Sequence, residues 1–347
     1  MKKIFNLFAA IFLGIALTHC TPTPPPVVDP PPQWIDGSYF QYAYKSSGLG
    51  IDIVVLGDGY TVADMSSGKY ESDMKRAADG FFEIEPYKKY KSYFNVYIMV
   101  AVSSTSGIGT EGEAKDTKFS TYHGEGTHMA TDTAMCYKYA KKAPIAAIDK
   151  SVVILVANST KYGGTCHMWS TGRAVAVCPS SAGNYLVPIV QHEAGGHAFA
   201  KLADEYVKAN SEISNEEITK LKMWQGFNFF CNVDVTDDLD QVLWKGFIGL
   251  PNYKAPNPVV GAYKGGYLFD EGVWRSEEQS CMINNIPYYN AQSRFLIVKR
   301  IKALAGEPFT FEWFLDNDVI EPYTRTKATA ELPTLPQLAP PTVYMPE

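Results

Sequence analysis

Three nearly uninterrupted apolar runs set the first limit on how this chain can fold: Ile51–Leu56 (IDIVVL), Phe94–Val102 (FNVYIMVAV) and Ser151–Ala157 (SVVILVA). A strand with one wet face alternates apolar and polar residues. A strand covered on both faces does not, so these runs predict interior strands of a sheet with helices on both sides. Helical stretches fall between and after them. Thr61-Val62-Ala63-Asp64 is a helix-start box, and the helix it opens is expected to run to about Phe82, with Glu85-Pro86 closing it. Asp132–Lys142 and Tyr185–Leu202 are further helices, the latter with Pro188 in its first turn. Ala174–Cys178 (AVAVC) reads as a short fourth strand after the Gly-rich loop Tyr162-Gly163-Gly164. The alternation predicts an α/β fold with a mixed, mostly parallel sheet.

The ends differ from this middle. Of 22 prolines, seven lie in Pro22–Pro32 and five in Glu331–Glu347. Lys2 and Lys3 followed by an apolar run to Leu17 are arranged as a signal sequence, too short to span a bilayer. Leu17-Thr18-His19-Cys20 resembles a bacterial lipoprotein signal in which Cys20 is lipidated. The proline segment behind it would be an extended, semi-rigid tether. The expected organisation is a signal over 1–20, a tether over 21–33, one globular domain over 34–330 and a proline-rich tail over 331–347. The expected location is outside the cytoplasm, anchored at the outer membrane or cell surface. Export permits disulfides. Cys166 and Cys178 are close enough in sequence to staple a loop, while Cys136, Cys231 and Cys281 complete an odd set beyond Cys20. With 31 basic and 37 acidic residues the net charge is -6, and no basic stripe marks a nucleic-acid partner.

Most of the chemical information lies in Gln191-His192-Glu193-Ala194-Gly195-Gly196-His197. In HExxH helices the two histidines are four apart, about 400° of rotation, and face one metal. Here they are five apart, and in a regular helix the rings would diverge by about 140°. A π-type bulge removes the mismatch. Gly195 and Gly196, costing roughly 1 kcal/mol each against alanine inside a helix, are the expected place for it. The flanking residues Leu186, Val187, Ile189, Val190, Ala198 and Phe199 are apolar, so the helix is buried. Buried imidazoles and a carboxylate need partners, and a metal is the simplest shared one. Two acids compete as third ligand: Asp204, seven residues after His197, which requires the helix to stop and the chain to turn back, and Glu217, twenty residues after it.

His192–Tyr206 (HEAGGHAFAKLADEY) resembles the active-site helix of the IgA-peptidase-like zinc metallopeptidases. Ile51–Thr61, Glu85–Tyr97 with Ser103–Gly107, and Arg275–Asn285 (RSEEQSCMINN) resemble further blocks of that family. The resemblance spans roughly residues 48 to 303. It implies a zincin, metzincin-like fold with an antiparallel edge strand, and one zinc ion held by His192, His197 and Asp204. Glu193 would be the general base, Met282 a methionine-turn residue beneath the metal, and Ala174, Val175, Ala176 and Val177 the edge strand on which a peptide lies by strand addition. This sequence departs from the metzincin pattern at Ala200, where a glycine usually turns the chain. The implied chemistry is hydrolysis of peptide bonds in extracellular proteins or peptides by a monomeric enzyme, with Glu193 taking a proton from water and passing it to the leaving amine. Tyr206, Tyr288, Tyr289 and Arg294 are candidate donors to the oxyanion. The rival readings are a non-catalytic surface binding lipoprotein on the same scaffold and a metal-dependent amidase acting on cell-wall peptides. His123 and His128 with Glu125, and the acid-rich Asp234–Asp240, are weaker candidate metal sites.

Overall fold

The apolar runs form the middle of a seven-stranded sheet. The computed structural model describes residues 34–180, 183–323 and 336–345. The signal sequence, Cys20, the proline tether and residues 331–335 and 346–347 of the tail lie outside the described residues. From Trp34 onward the chain is one compact unit. No helix among the described residues is long and apolar enough to cross a membrane.

In chain order the strands of the large sheet are β1 (Tyr39–Ala43), β2 (Ile51–Asp58), β3 (Phe94–Met99), β4 (Val152–Ala157), β5 (Thr165–Trp169), β6 (Ala174–Pro179) and β7 (Thr342–Tyr344). They lie side by side in the order β1-β3-β2-β4-β6-β5-β7. Pairing is parallel except at β1/β3 and β5/β6. Every residue of β2, β4 and β6 is buried, as the lack of alternation predicts. The pleat sends alternate residues to different cores. Ile53, Val55, Ile154 and Ala176 pack with Tyr70, Met74 and Ile189 on one face; Val54, Leu56, Val153 and Val177 pack with Cys136 and Tyr137 on the other. Each fully buried Val, Ile or Leu contributes about 1.5–3 kcal/mol of transfer free energy, which makes this register hard to slip.

Four expectations need correction. The helix opened by Thr61 is two helices, Val62–Ser66 and Lys69–Phe81, because Gly68 between them has φ +80. Its capping box is present, with Thr61 Oγ1 accepting from the Asp64 N–H and Asp64 Oδ2 accepting from the Thr61 N–H. Ala174–Val177 is not an edge: β6 is flanked by β4 and by β5, a strand the sequence reading missed. Cys166 and Cys178 do not pair, and all five cysteines from Cys136 to Cys281 are free thiols. The domain does not end at 330. β7 lies parallel to β5, with Thr342 opposite His167 and Tyr344 opposite Trp169, and Leu338 is only 1% exposed.

After the helix that ends at Phe199 the chain builds a second, four-stranded sheet from Val207–Glu212, Val233–Asp234, Tyr263–Gly266 and Leu268–Arg275. The helix Ala291–Ala305 follows, capped by Asn290.

Candidate active site

The helix that carries the histidines begins as an α-helix over Leu186–Val190 and continues as a π-helix over Gln191–Phe199. The expected single bulge is thus a nine-residue π segment. Its i→i+5 ladder brings residues five apart onto one face, which is what the His192/His197 spacing requires. Side-chain donors support its carbonyls: Tyr87 Oη donates to Gly195 O at 2.6 Å and Tyr289 Oη to Gln191 O.

Neither glycine of the motif has a positive φ, so their value here is not dihedral freedom. It is space. A Cβ on Gly196 would stand 2.2 Å from Met282 Sδ, and one on Gly195 would stand 2.5 Å from Tyr289 Oη. Met282, in the short helix Cys281–Asn284, therefore presses directly against the helix between the histidines.

The helix stops as the third ligand requires, though not where the missing glycine pointed. Ala200 is right-handed, and Lys201 makes the turn with φ +60. A non-glycine residue there costs roughly 1–2 kcal/mol. It is held by Lys201 Nζ donating to Ala198 O (2.7 Å), the Lys201 N–H to His197 O (3.0 Å) and the Phe230 N–H to Lys201 O (2.7 Å). The chain then runs back in extended form. Asn232 pins it, accepting from the Ala203 N–H and donating to Ala203 O. This delivers Asp204 to the histidines.

Three donor atoms converge. His192 Nε2 is 3.1 Å from His197 Nε2 and 2.9 Å from Asp204 Oδ1, and His197 Nε2 is 3.3 Å from the same oxygen. All three side chains are buried. His192 Nδ1 meets Cys281 O at 3.2 Å and His197 Nδ1 meets Leu202 O at 2.7 Å. Carbonyls only accept, so both Nδ1 atoms carry the proton and both Nε2 atoms turn lone pairs toward each other and toward a carboxylate. A single proton can bridge only one of these contacts; a cation at the centre satisfies all three. In a tetrahedral zinc site with ligands at about 2.0–2.1 Å, donor atoms are about 3.3 Å apart, close to the spacings here. The residues present fit the metal. The backbone carbonyls behind the imidazoles are the outer partners that fix ring orientation at such sites.

Glu193 faces the same space. It is completely buried, and neither carboxyl oxygen has a hydrogen-bond partner. Burial raises its carboxyl, and the charge of Asp204 adds to the rise. Gly164, at the start of β5, leaves room for it: a Cβ there would stand 2.9 Å from Glu193 Oε1.

The other sequence candidates are not among these three converging side chains, although Glu217 lines the same cavity as Asp204. Glu217, in the helix Asn215–Gly226, accepts from Lys220 Nζ at 2.8 Å. Tyr288 Oη donates to Glu277, and Arg294 forks onto Asp318 at 2.9 and 2.8 Å, so with Tyr289 bound to the helix carbonyl these three are structural. Tyr206 donates not to the helix but to the C-terminal segment, at Leu338 O, 2.6 Å away. His123 is buried against Ser159 Oγ, and Asp234 is buried and bound by Lys222. Among the described residues only His192, His197 and Asp204 form a cluster of three metal-type side chains. Lys201, Asn232, Gly164 and Leu338 were not singled out in the sequence, because each acts only through a contact made by the fold.

No curated protein matches the chain. A scan against protein families matches the one described as IgA Peptidase M64 over residues 44–249, which takes in His192, Glu193, His197 and Asp204. That match covers more than half of the sequence, and the chain belongs to the IgA Peptidase M64 family of metallopeptidases.

Proposed function

We propose that this peptidase is a zinc endopeptidase of metzincin-like architecture, with His192, His197 and Asp204 as ligands and Met282 as the apolar floor below them. The observation that carries the reading is the inward-facing set of two imidazole lone pairs and one carboxylate beside a carboxylate, Glu193, with no partner of its own. A zinc ion held there supplies Lewis acidity and a water of pKa near 7.

The chain's residues do the rest. The Nδ1–H bonds of His192 and His197 hold both rings with Nε2 inward. Glu193 accepts a proton from the attacking water and later delivers it to the leaving amine, and general acid–base transfer of this kind contributes about 10²–10⁴-fold. Its burial keeps bulk water from competing for that proton. Tyr206, whose hydroxyl already donates to one backbone carbonyl, Leu338 O, would donate to a substrate carbonyl oxygen as it gains charge.

The substrate is a protein or peptide outside the cytoplasm, with the enzyme anchored through lipid on Cys20. The anchor reading rests on Lys2, Lys3 and the apolar run ending at Cys20. Membrane partitioning that is unchanged in Cys20→Ala would refute it. Glu193 counts against a binding-only scaffold, since a buried unpartnered carboxylate costs stability and does nothing for binding elsewhere.

Metal analysis of the purified chain with a casein digest tests the enzyme. We expect about one zinc per chain and hydrolysis that stops with chelator and returns with zinc. Protein that digests casein with no bound metal would refute the proposal.

A further inference from the structure

Without β7, β5 would be the exposed edge of the large sheet on the side that carries Gly164 and Glu193. An open edge offers a row of backbone donors and acceptors to an extended chain. The C-terminal segment fills it. Thr127 Oγ1 donates to Gln337 O at 2.9 Å and Tyr206 Oη to Leu338 O at 2.6 Å. Leu338 and Ala339 are buried, β7 pairs with His167–Trp169, and the Tyr344 ring stacks on Trp169 at 4.8 Å. Between the segment and the site lies a cavity of about 400 Å³, lined by Asp204, Trp224 and Tyr267 on one side and Pro340, Pro341 and Val343 on the other. A backbone carbonyl held by the hydroxyl next to a metal-type centre, followed four residues on by a strand added to the sheet edge, is how a bound peptide would lie.

We propose that residues 336–345 occupy the peptide-binding groove in cis and must leave it before an extended substrate can bind along β5. This rests on the peptidase reading above. No cysteine or covalent link ties the segment down, and its strand is three residues long. Docking of this kind lowers the apparent affinity for any competing peptide by the fraction of time the groove is free.

The test compares the full chain with a chain ending at Leu335, and with the double variant Val343→Asp/Tyr344→Ala, which loosens the strand while leaving Leu338 in place. All three are made with Glu193 intact and again as Glu193→Ala. In the Glu193→Ala set, binding of a fluorescent casein-derived peptide is read by anisotropy, so no turnover is needed. With Glu193 intact, kcat/KM is read on the same peptide. We expect truncation to tighten peptide binding and raise kcat/KM by about ten-fold or more, which corresponds to a tail docked nine-tenths of the time. The double variant should fall between, and a synthetic peptide spanning 336–345 should compete with substrate on the truncated chain. Equal binding by tailed and tail-less chains, or binding by neither, overturns the inference. If truncation destabilises the chain, the double variant decides by the same criterion. Tail-dependent binding with no hydrolysis by any form would instead overturn the peptidase reading and leave the groove standing.

Discussion

Asp204 and Glu205 are neighbours in the chain and both buried, yet they sit in two polar clusters of opposite character. Glu205 accepts from Asn232 Nδ2 at 2.9 Å and from Asn290 Nδ2 at 2.8 and 2.9 Å. Behind it, Glu277 takes the Tyr288 hydroxyl and the Ala291 N–H, and Arg294 forks onto Asp318. Acceptors there meet donors. Around Asp204 acceptors meet acceptors: two Nε2 lone pairs and Oδ1 face one point, while Asp204 Oδ2 and both Glu193 oxygens have no partner. A buried polar group left unpaired costs about 1–3 kcal/mol, more when charged, so a natural chain keeps several together only where something else completes them. The complete cluster holds the fold together; the incomplete one is where a ligand belongs.

Substitutions can break or sharpen that contrast. Glu193→Ala carries the largest expected effect: kcat should drop roughly a thousand-fold with zinc content and melting temperature retained, since no protein bond is lost. A variant that keeps a tenth of the activity would remove Glu193 from the mechanism. Asp204→Ala comes next. Zinc affinity should fall at least about 100-fold, because even outer partners of a zinc site are worth 10–100-fold; equilibrium dialysis against a zinc buffer reads it. Glu205→Ala should act in the opposite sense, costing about 3 kcal/mol of stability by stranding the Asn232 and Asn290 amides. Denaturant unfolding measures that loss, and zinc affinity per folded molecule should hold. Glu217→Ala should change neither zinc retention nor melting, as its ion pair is with exposed Lys220. Zinc loss in Glu217→Ala exceeding that in Asp204→Ala would invert the assignment.

Much of this was readable from residues alone, and the reasons for the gaps are physical. β2, β3 and β4 announce themselves because a strand covered on both faces needs no polar residues. The π winding is legible because two histidines five apart cannot otherwise share a face. β5 (TCHMW) is hidden: Thr165 and His167 break the apolar run, and the strand is recognisable only by what it pairs with. That omission shifted the edge onto Ala174–Val177. The two glycines do fall in the π segment, but what they are needed for there is not local. A local reading sees backbone freedom, whereas the close approach of Met282 and Tyr289 comes from residues about ninety positions later. The left-handed Lys201 is a further case, since a lysine in that conformation is paid for by bonds to Ala198 and Phe230 that no local pattern contains.

The unpaired thiols reach beyond the site. Cys136, Cys166, Cys178 and Cys281 are fully buried, and burial pushes each thiol up, away from the reactive thiolate. The domain's stability therefore borrows nothing from oxidation. Loss of activity on treatment with a reducing thiol would point to competition for the metal, not to unfolding of the described domain.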